Sequence, residues 1–177
     1  YQAGATVAEA YAQSLLAMMD MPTLQQRVGN RFWSGAGAQA SGDTSPAPPR
    51  TDYGGIWARV EGARTKIDPA RSTTRTRHDL DRLLFQAGAD TQLTGSERGV
   101  LIGGITVHYA QGDANSRSLN GTGRADVDGY GVGATITWYG SNGFYLDAQA
   151  QATWFSSTLK SDQMGTVVKD NDGFGYA

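Results

Sequence analysis

The sequence predicts an all-β transmembrane fold, an up-and-down antiparallel β-barrel preceded by an N-terminal α-helix. Three observations predict it. First, residues 144–154 place Phe144, Leu146, Ala148, Ala150, Ala152 and Trp154 on one parity and Tyr145, Asp147, Gln149, Gln151 and Thr153 on the other. Successive strand residues point to opposite faces, so one face is apolar throughout and the other polar. An aromatic residue closes the apolar row at each end. Roughly ten steps of about 3.3 Å, tilted by about 40°, give a band about 25 Å tall, the height of the apolar belt on a membrane barrel. Second, the same parity recurs in run after run from residue 55 onward. Third, the connections between runs alternate between long and short, the asymmetry of barrels with long loops outside and short turns in the periplasm.

Composition agrees with this class and excludes others. The chain has 177 residues, 24 glycines, 5 prolines, no cysteine and a net charge of −2. No basic surface for nucleic acid is indicated, and neither a disulfide framework nor a thiolate metal site can form. No apolar run is long enough for a spanning helix. The mean hydropathy of −0.43 does not argue against a barrel, whose apolar residues hide in alternate positions. The opening Tyr1-Gln2-Ala3-Gly4 lacks the basic start and apolar stretch of a signal peptide, so an export signal is expected upstream.

In chain order, residues 5–33 read as helix. Val7, Tyr11, Leu15 and Met18 share a stripe at helical spacing, while Glu9, Gln13 and Asp20 fall elsewhere. Such a helix would also suit docking on a soluble core. Pro22 should break it, with Met21 pushed out of the α region. A short second helix over 23–28 would end at Gly29. Residues 34–54 carry small residues and prolines without hydrophobic period and read as a flexible linker. The three regions are thus 1–33, 34–54 and 55–177.

Strands are predicted over 56–65, 83–93, 100–110, 128–139 and 144–156, with a sixth beginning at 173–176. The apolar parity is Ile56, Ala58 and Val60 in the first, and Phe85, Ala87 and Ala89 in the second. It continues as Leu101, Gly103, Ile105, Val107 and Tyr109 in the third, and Tyr130, Val132, Ala134, Ile136 and Trp138 in the fourth. The lipid face is therefore represented by Ile105, Val107, Tyr109, Ile136, Trp138, Phe144, Leu146 and Trp154. Arg59, Glu61, Gln86, Asp90, Asp147, Gln149 and Gln151 fall on the other parity and are expected to face a wet lumen. Gly129, Gly131 and Gly133 share that inner parity, which makes sense if something bulky fits against it. Long connections are expected at 66–82, 111–127 and 157–172, and short ones at 94–99 and 140–143. The first strand then runs outward, and the helix before it must end at the periplasmic mouth.

Short motifs carry a family resemblance. Thr23-Leu24-Gln25-Gln26-Arg27-Val28-Gly29 is similar to a Thr-Leu-x-x-Arg-x-Gly box, with Leu24, Arg27 and Gly29 as its marked positions. Gly55-Ile56-Trp57-Ala58-Arg59-Val60-Glu61-Gly62 is similar to a Trp-Ala-Arg-x-x-Gly opening of a first strand. In order and at family spacing, these motifs resemble the C-terminal translocator domain of autotransporters, the type V secretion proteins, of the monomeric type. The resemblance implies a twelve-stranded outer-membrane barrel plugged by the preceding helix, exporting the protein's own N-terminal passenger. This chain would supply its first part, about 5–6 strands. Implied partners are outer-membrane lipid, the passenger, periplasmic chaperones and the barrel-assembly machinery. A monomer is expected, with no cofactor, no nucleic acid and no enzymatic activity. Some members cleave the passenger through asparagine chemistry on the helix, and no asparagine occurs between Ala5 and Val28. A plain outer-membrane adhesin or receptor barrel, binding through its long loops, is the alternative. A membrane-barrel hydrolase is a third.

Chemistry-bearing residues are sparse. His78, in a predicted loop, and His108, in a strand, lack partners at ligand spacing. No nucleophile elbow, phosphate loop or His-Glu-x-x-His motif occurs. Asp170-Asn171-Asp172-Gly173 reads as a turn, with weak calcium binding as the sharper possibility. Arg71, Arg75, Arg77 and Arg82 read as a solvated loop cluster, or as contacts for lipid phosphates or exported chain. Arg27 is available to pair inner-wall acids. Asp147→Leu is expected to disturb assembly little, and Ala148→Arg to impair insertion.

Overall fold

In the computed structural model, which describes residues 2–28, 55–68, 76–119 and 121–177, helix α1 (Gln2–Met18) lies across one face of a single sheet. Its buried line is Val7, Ala10, Ser14 and Met18. The sequence reading had placed Tyr11 and Leu15 on this line, but they sit half-buried at its flank. Small residues at 10 and 14 let the helix axis approach the sheet closely. The Ser14 hydroxyl, fully buried, donates to the Ala10 carbonyl at 2.9 Å.

The helix stops at Met18 rather than running on toward residue 33, because Pro22 cannot continue the hydrogen-bond ladder. A short helix α2 (Leu24–Val28) follows. Thr23 starts it through a reciprocal cap: its hydroxyl accepts from the Gln26 amide at 3.3 Å, while Gln26 Oε1 accepts from the Thr23 amide at 2.9 Å. Gly29, the 34–54 linker, Arg71 and Arg75 lie outside the described residues.

The strands are β1 (Gly55–Ile67), β2 (Arg77–Ser96), β3 (Gly99–Ser118), β4 (Gly121–Gly140), β5 (Tyr145–Ser161) and β6 (Gly165–Tyr176). They form one 6-stranded antiparallel sheet in sequence order, open at β1 and β6. The tight turn 140–143 contains Gly143 at φ 85°, where a side chain would be strained. Phe144 immediately precedes β5.

The strands are longer than the hydropathy pattern indicates. The predicted long connection 111–127 is strand except for a tight hairpin between Ser118 and Gly121. That at 157–172 turns at residues 162–164. His78 therefore sits in β2, not in a loop, and 170–173 lies within β6, where Asp170 at φ 50° marks an irregular register against β5. The sequence reading ended each strand where the outer face turned polar. The inner face keeps its alternation beyond that point, through Ala110, Gly112, Ala114 and Ser116 on β3 and Gly123, Ala125 and Val127 on β4. Outer polar side chains pair along and across the strands there: Arg64 with Asp81 at 2.5 Å, Arg124 with Asp126 at 2.5 Å and with Asp113 at 2.7 Å.

The outer face carries two aromatic rows. In register, Phe85, Tyr109, Tyr130, Trp154 and Phe174 run across β2 to β6. Ring centroids are 5.9 Å apart for Tyr130 and Trp154 and 5.6 Å apart for Trp154 and Phe174. Nearer the short turns, Trp138 packs on Phe144 at 6.1 Å, while Tyr139 and Tyr145, 6.3 Å apart, pair on the opposite, inner face. Exposed aliphatic residues fill the space between the rows. From Tyr130 to Trp138 the strand advances about 26 Å, or about 20 Å along a normal tilted by about 40°.

Candidate functional site

The inner face is where the sheet holds the helical segment, and the contacts run in order from one end of the strands to the other. At the hairpin end, Thr6 Oγ1 lies 3.0 Å from Ser118 Oγ. Val7 presses on Gly123 so closely that a Cβ there would collide with it. Val7 and Ala10 pack with Leu80, Ala114, Ala125 and Leu159. About two turns further, Met18 packs with Leu84, Ala110, Val127 and Phe155. Full burial of each large apolar side chain contributes about 1.5–3 kcal/mol. The Tyr11 hydroxyl accepts from Ser157 at 3.2 Å and from Asn171 at 3.1 Å, which ties the helix to β5 and β6.

Below Met18 the interaction becomes polar, for a physical reason. The helix end and the Pro22 break leave backbone carbonyls without intrahelical partners, and these must be satisfied from the wall. Arg82 donates to the Ala17 carbonyl while pairing with Glu61, and lies 3.6 Å from Asp20. Gln151 Nε2 donates to the Met19 carbonyl at 2.8 Å, and Gln149 Nε2 to the Pro22 carbonyl at 2.9 Å. At the bottom, Arg27 donates to Asp147 Oδ1 at 2.5 Å, with side-chain exposures of only 2% and 13%. The same carboxylate accepts from Thr137 at 2.6 Å and Gln149 at 3.0 Å. Asp147 lies close to the short turn 140–143, so the segment crosses the whole wall from the hairpin end to the short-turn end.

The inner face thus brings together Arg27, Asp147, Gln149 and Gln151, with Leu24 half-buried above them. Arg59 Nε donates to Gln86 Oε1 at 2.8 Å and its Nη1 pairs with Glu61 at 3.1 Å, and that network continues into Arg82. Asp90 lies on the same face over Gly104. Ile105, Val107, Tyr109, Ile136, Phe144, Leu146 and Trp154 are exposed on the opposite face. Trp138 is there too, half-covered by Phe144.

The expectation that Asp147→Leu would be nearly silent needs revision, because Asp147 accepts from three side chains at once. Sequence reasoning also missed Arg82, which was grouped with the loop arginines. Its parity with Leu84 and Gln86 was the available signal. Tyr11, Gln13 and Thr137 gave no comparable signal, since their partners lie far away in sequence.

His78 and His108 have structural surroundings. His108 Nε2 lies 3.0 Å from Thr153 Oγ1 and His78 Nε2 lies 3.1 Å from Gln13 Oε1. Among the described residues no three metal-ligating side chains gather. His78 stands beyond the Phe85 row, outside the apolar belt. Burial lowers its pKa from the ordinary value of 6.5, against opposing pulls from Glu9 and Asp79. The folded state therefore favours neutral imidazole. Its contribution to helix docking is fully present above about pH 6.5 and is lost as pH falls through the lowered folded value. Amide exchange of α1 should accelerate on acidification into that window, and His78→Gln should flatten the response.

Comparison with known proteins places this architecture. A family model for the autotransporter beta-domain matches residues 56–177. The chain is 42% identical over 178 residues to the adhesin BmaC autotransporter of Brucella suis, covering 100% of this chain and 5% of that protein. It is 27% identical over 119 residues to the autotransporter adhesin AIDA-I of Escherichia coli, covering 60% of this chain and 9% of that one. The crystal structure of the AIDA-I transport unit superposes with a TM-score of 0.60 at 21% identity, over 85% of this chain and 50% of that chain. This chain therefore spans a small part of those full-length relatives and half of a transport unit. A six-stranded antiparallel sheet with a helical segment laid along one face, matched end to end by an autotransporter, identifies the chain as a member of the autotransporter β-domain family.

Proposed function

We propose that this segment forms part of the wall and the plug of a pore through which the full-length protein delivers its own passenger to the cell surface. The observation that carries the reading is the path of α1 and α2 along the inner face, from the outer hairpins at Ser118 to the short turns at Asp147. A chain threaded through the pore takes this path, its amino end outside and its carboxyl end beside the entry to β1. The Gly- and Ala-lined wall at Gly112, Gly123 and Ala114 gives it room. The arginine and glutamine partners satisfy its broken backbone.

On this reading the aromatic rows mark the two membrane interfaces, and Ile105, Val107 and Ile136 meet hydrocarbon between them. Arg59, Glu61, Gln86, Asp90 and Asp147 line a wet lumen, where charge is tolerated. The role is non-catalytic, the barrel acts as a monomer, and periplasmic chaperones and the barrel-assembly machinery deliver it. Among the described residues, the strands of the β3–β4 and β5–β6 hairpins pair almost to their tips, which leaves little loop there for the alternative of a receptor barrel.

The test is export itself. In cells making the full-length protein, external protease should reach the passenger while the periplasm stays closed. Replacing residues 56–177 with an unrelated barrel of equal strand number should abolish surface arrival. Undiminished arrival after that replacement would defeat the reading.

A further inference from the structure

We propose that the tips of the β3–β4 and β5–β6 hairpins form a docking platform for the passenger segment that immediately precedes α1. The proposal rests on the export reading above, and adds a specific surface to it.

The two tips are neighbours. The Asp162 amide donates to the Thr122 carbonyl at 3.2 Å, and the Thr122 hydroxyl donates to the Asp162 carboxylate. A Cβ on Gly121 would lie 3.1 Å from Gln163. Together the tips present Leu119 at 85% exposure and Met164 at 58%, with the partly exposed Val167 alongside. Large apolar side chains gathered at a rim in water call for a partner.

Lipid is not that partner. From the Tyr130 row to Gly121 the strand advances about 30 Å, which lifts the tip about 23 Å above the aromatic row at a tilt of about 40°. The headgroup layer reaches only about 5–8 Å beyond the hydrocarbon. A charged collar of Arg124, Asp113, Asp126 and Lys160 separates the tips from the belt, so the apolar rim is not a continuation of the lipid-facing surface.

The geometry points to the occupant. Thr6 touches Ser118 at the base of the first tip, and from Thr6 to Gln2 the helix climbs only about 6 Å. The polypeptide entering α1 therefore meets the sheet at the base of the tip that carries Leu119. On the export reading the exported chain approaches this point, and the BmaC relative is far longer than the 5% of it matched here. The strands pair up to Ser118 and Gly121 on one hairpin and to Ser161 and Gly165 on the other, so docking there orders little of the barrel. Apolar side chains of the emerging segment fit this rim. Docking there would hold the last-exported stretch in place while the passenger folds.

The experiment uses the full-length protein in the outer membrane of intact cells. A photo-crosslinking residue replaces Leu119 or Met164, and adducts are mapped by mass spectrometry after irradiation. Adducts to the stretch just upstream of Gln2 are expected. Adducts only to lipid or to a second copy, or none at all, would overturn the platform. In parallel, L119S/M164S should leave the heat-resistant barrel and surface arrival unchanged while the passenger acquires protease resistance roughly tenfold more slowly, the factor that about 1.4 kcal/mol of lost apolar contact produces. An unchanged rate in that variant also overturns the platform. Failure of the unmutated passenger to reach the surface would instead defeat the export reading, and leaves its own distinct signature.

Discussion

Arg27→Ala should release the lower end of the plug, weakening helix docking by about 3 kcal/mol, at the low end of the loss seen when one partner of a buried ion pair is removed. The guanidinium is 2% exposed and its partner Asp147 13% exposed, so neither group has free access to water to compensate. Among the described residues, removing Arg27 leaves the Asp147 carboxylate with the Thr137 hydroxyl and the Gln149 amide. Exchange of the α2 amides should accelerate by about a hundredfold if they open locally. Planar-bilayer conductance of the refolded full-length translocator should rise in parallel. Arg27→Lys should recover part of the loss, because an ammonium supplies charge without the planar fork. Asp147→Leu should be comparably severe, since it removes the carboxylate that accepts from the buried Arg27 and from two neutral donors. Wild-type exchange and conductance in both variants would remove the pair from any role in holding the plug.

The second large effect belongs to the opposite face. Ala148 is exposed on the outer surface between Phe144 and Trp154, opposite Ile136 in register. If that surface meets hydrocarbon, Ala148→Arg should cost about 2–4 kcal/mol near the bilayer midplane. Urea titration of the full-length barrel in vesicles should show the loss, and outer-membrane yield should fall. Lys160→Ala, on the same strand but beyond the Trp154 row, should be neutral because its side chain is already in water and its nearest acid, Asp126, is at 4.0 Å. A neutral Ala148→Arg would place water, not lipid, against this face.

Much of this was legible in the chain because a strand has a period of two. Whoever reads Phe144, Leu146 and Ala148 against Tyr145, Asp147 and Gln149 can sort the faces of β5 without seeing its neighbours. The kink at Pro22 and the cap at Thr23 were equally local. What could not be read was anything set by distant partners. The close approach at Ala10 and Ser14 depends on the small residues of β3 and β4, a hundred or so positions away. Arg82 looked like a loop cation because hydropathy ended the second strand too early. Above the aromatic row, strand pairing is sustained by inner-face packing and by Arg–Asp pairs on the outside, so a pattern based on apolar outer residues stops before the strands do.

The open margins of the sheet have a consequence for how such a wall can enter a bilayer. Among the described residues, β1 and β6 are the edge strands of the sheet, and hydrocarbon supplies no partner for edge amides and carbonyls. A half-cylinder is therefore not a stopping point: the seam must be sealed against further strands as the piece leaves water, or stay shielded by the machinery that inserts it. Excised residues 55–177 should accordingly stick to one another along those margins rather than settle into vesicles, and membrane entry becomes an all-or-nothing event of the complete wall.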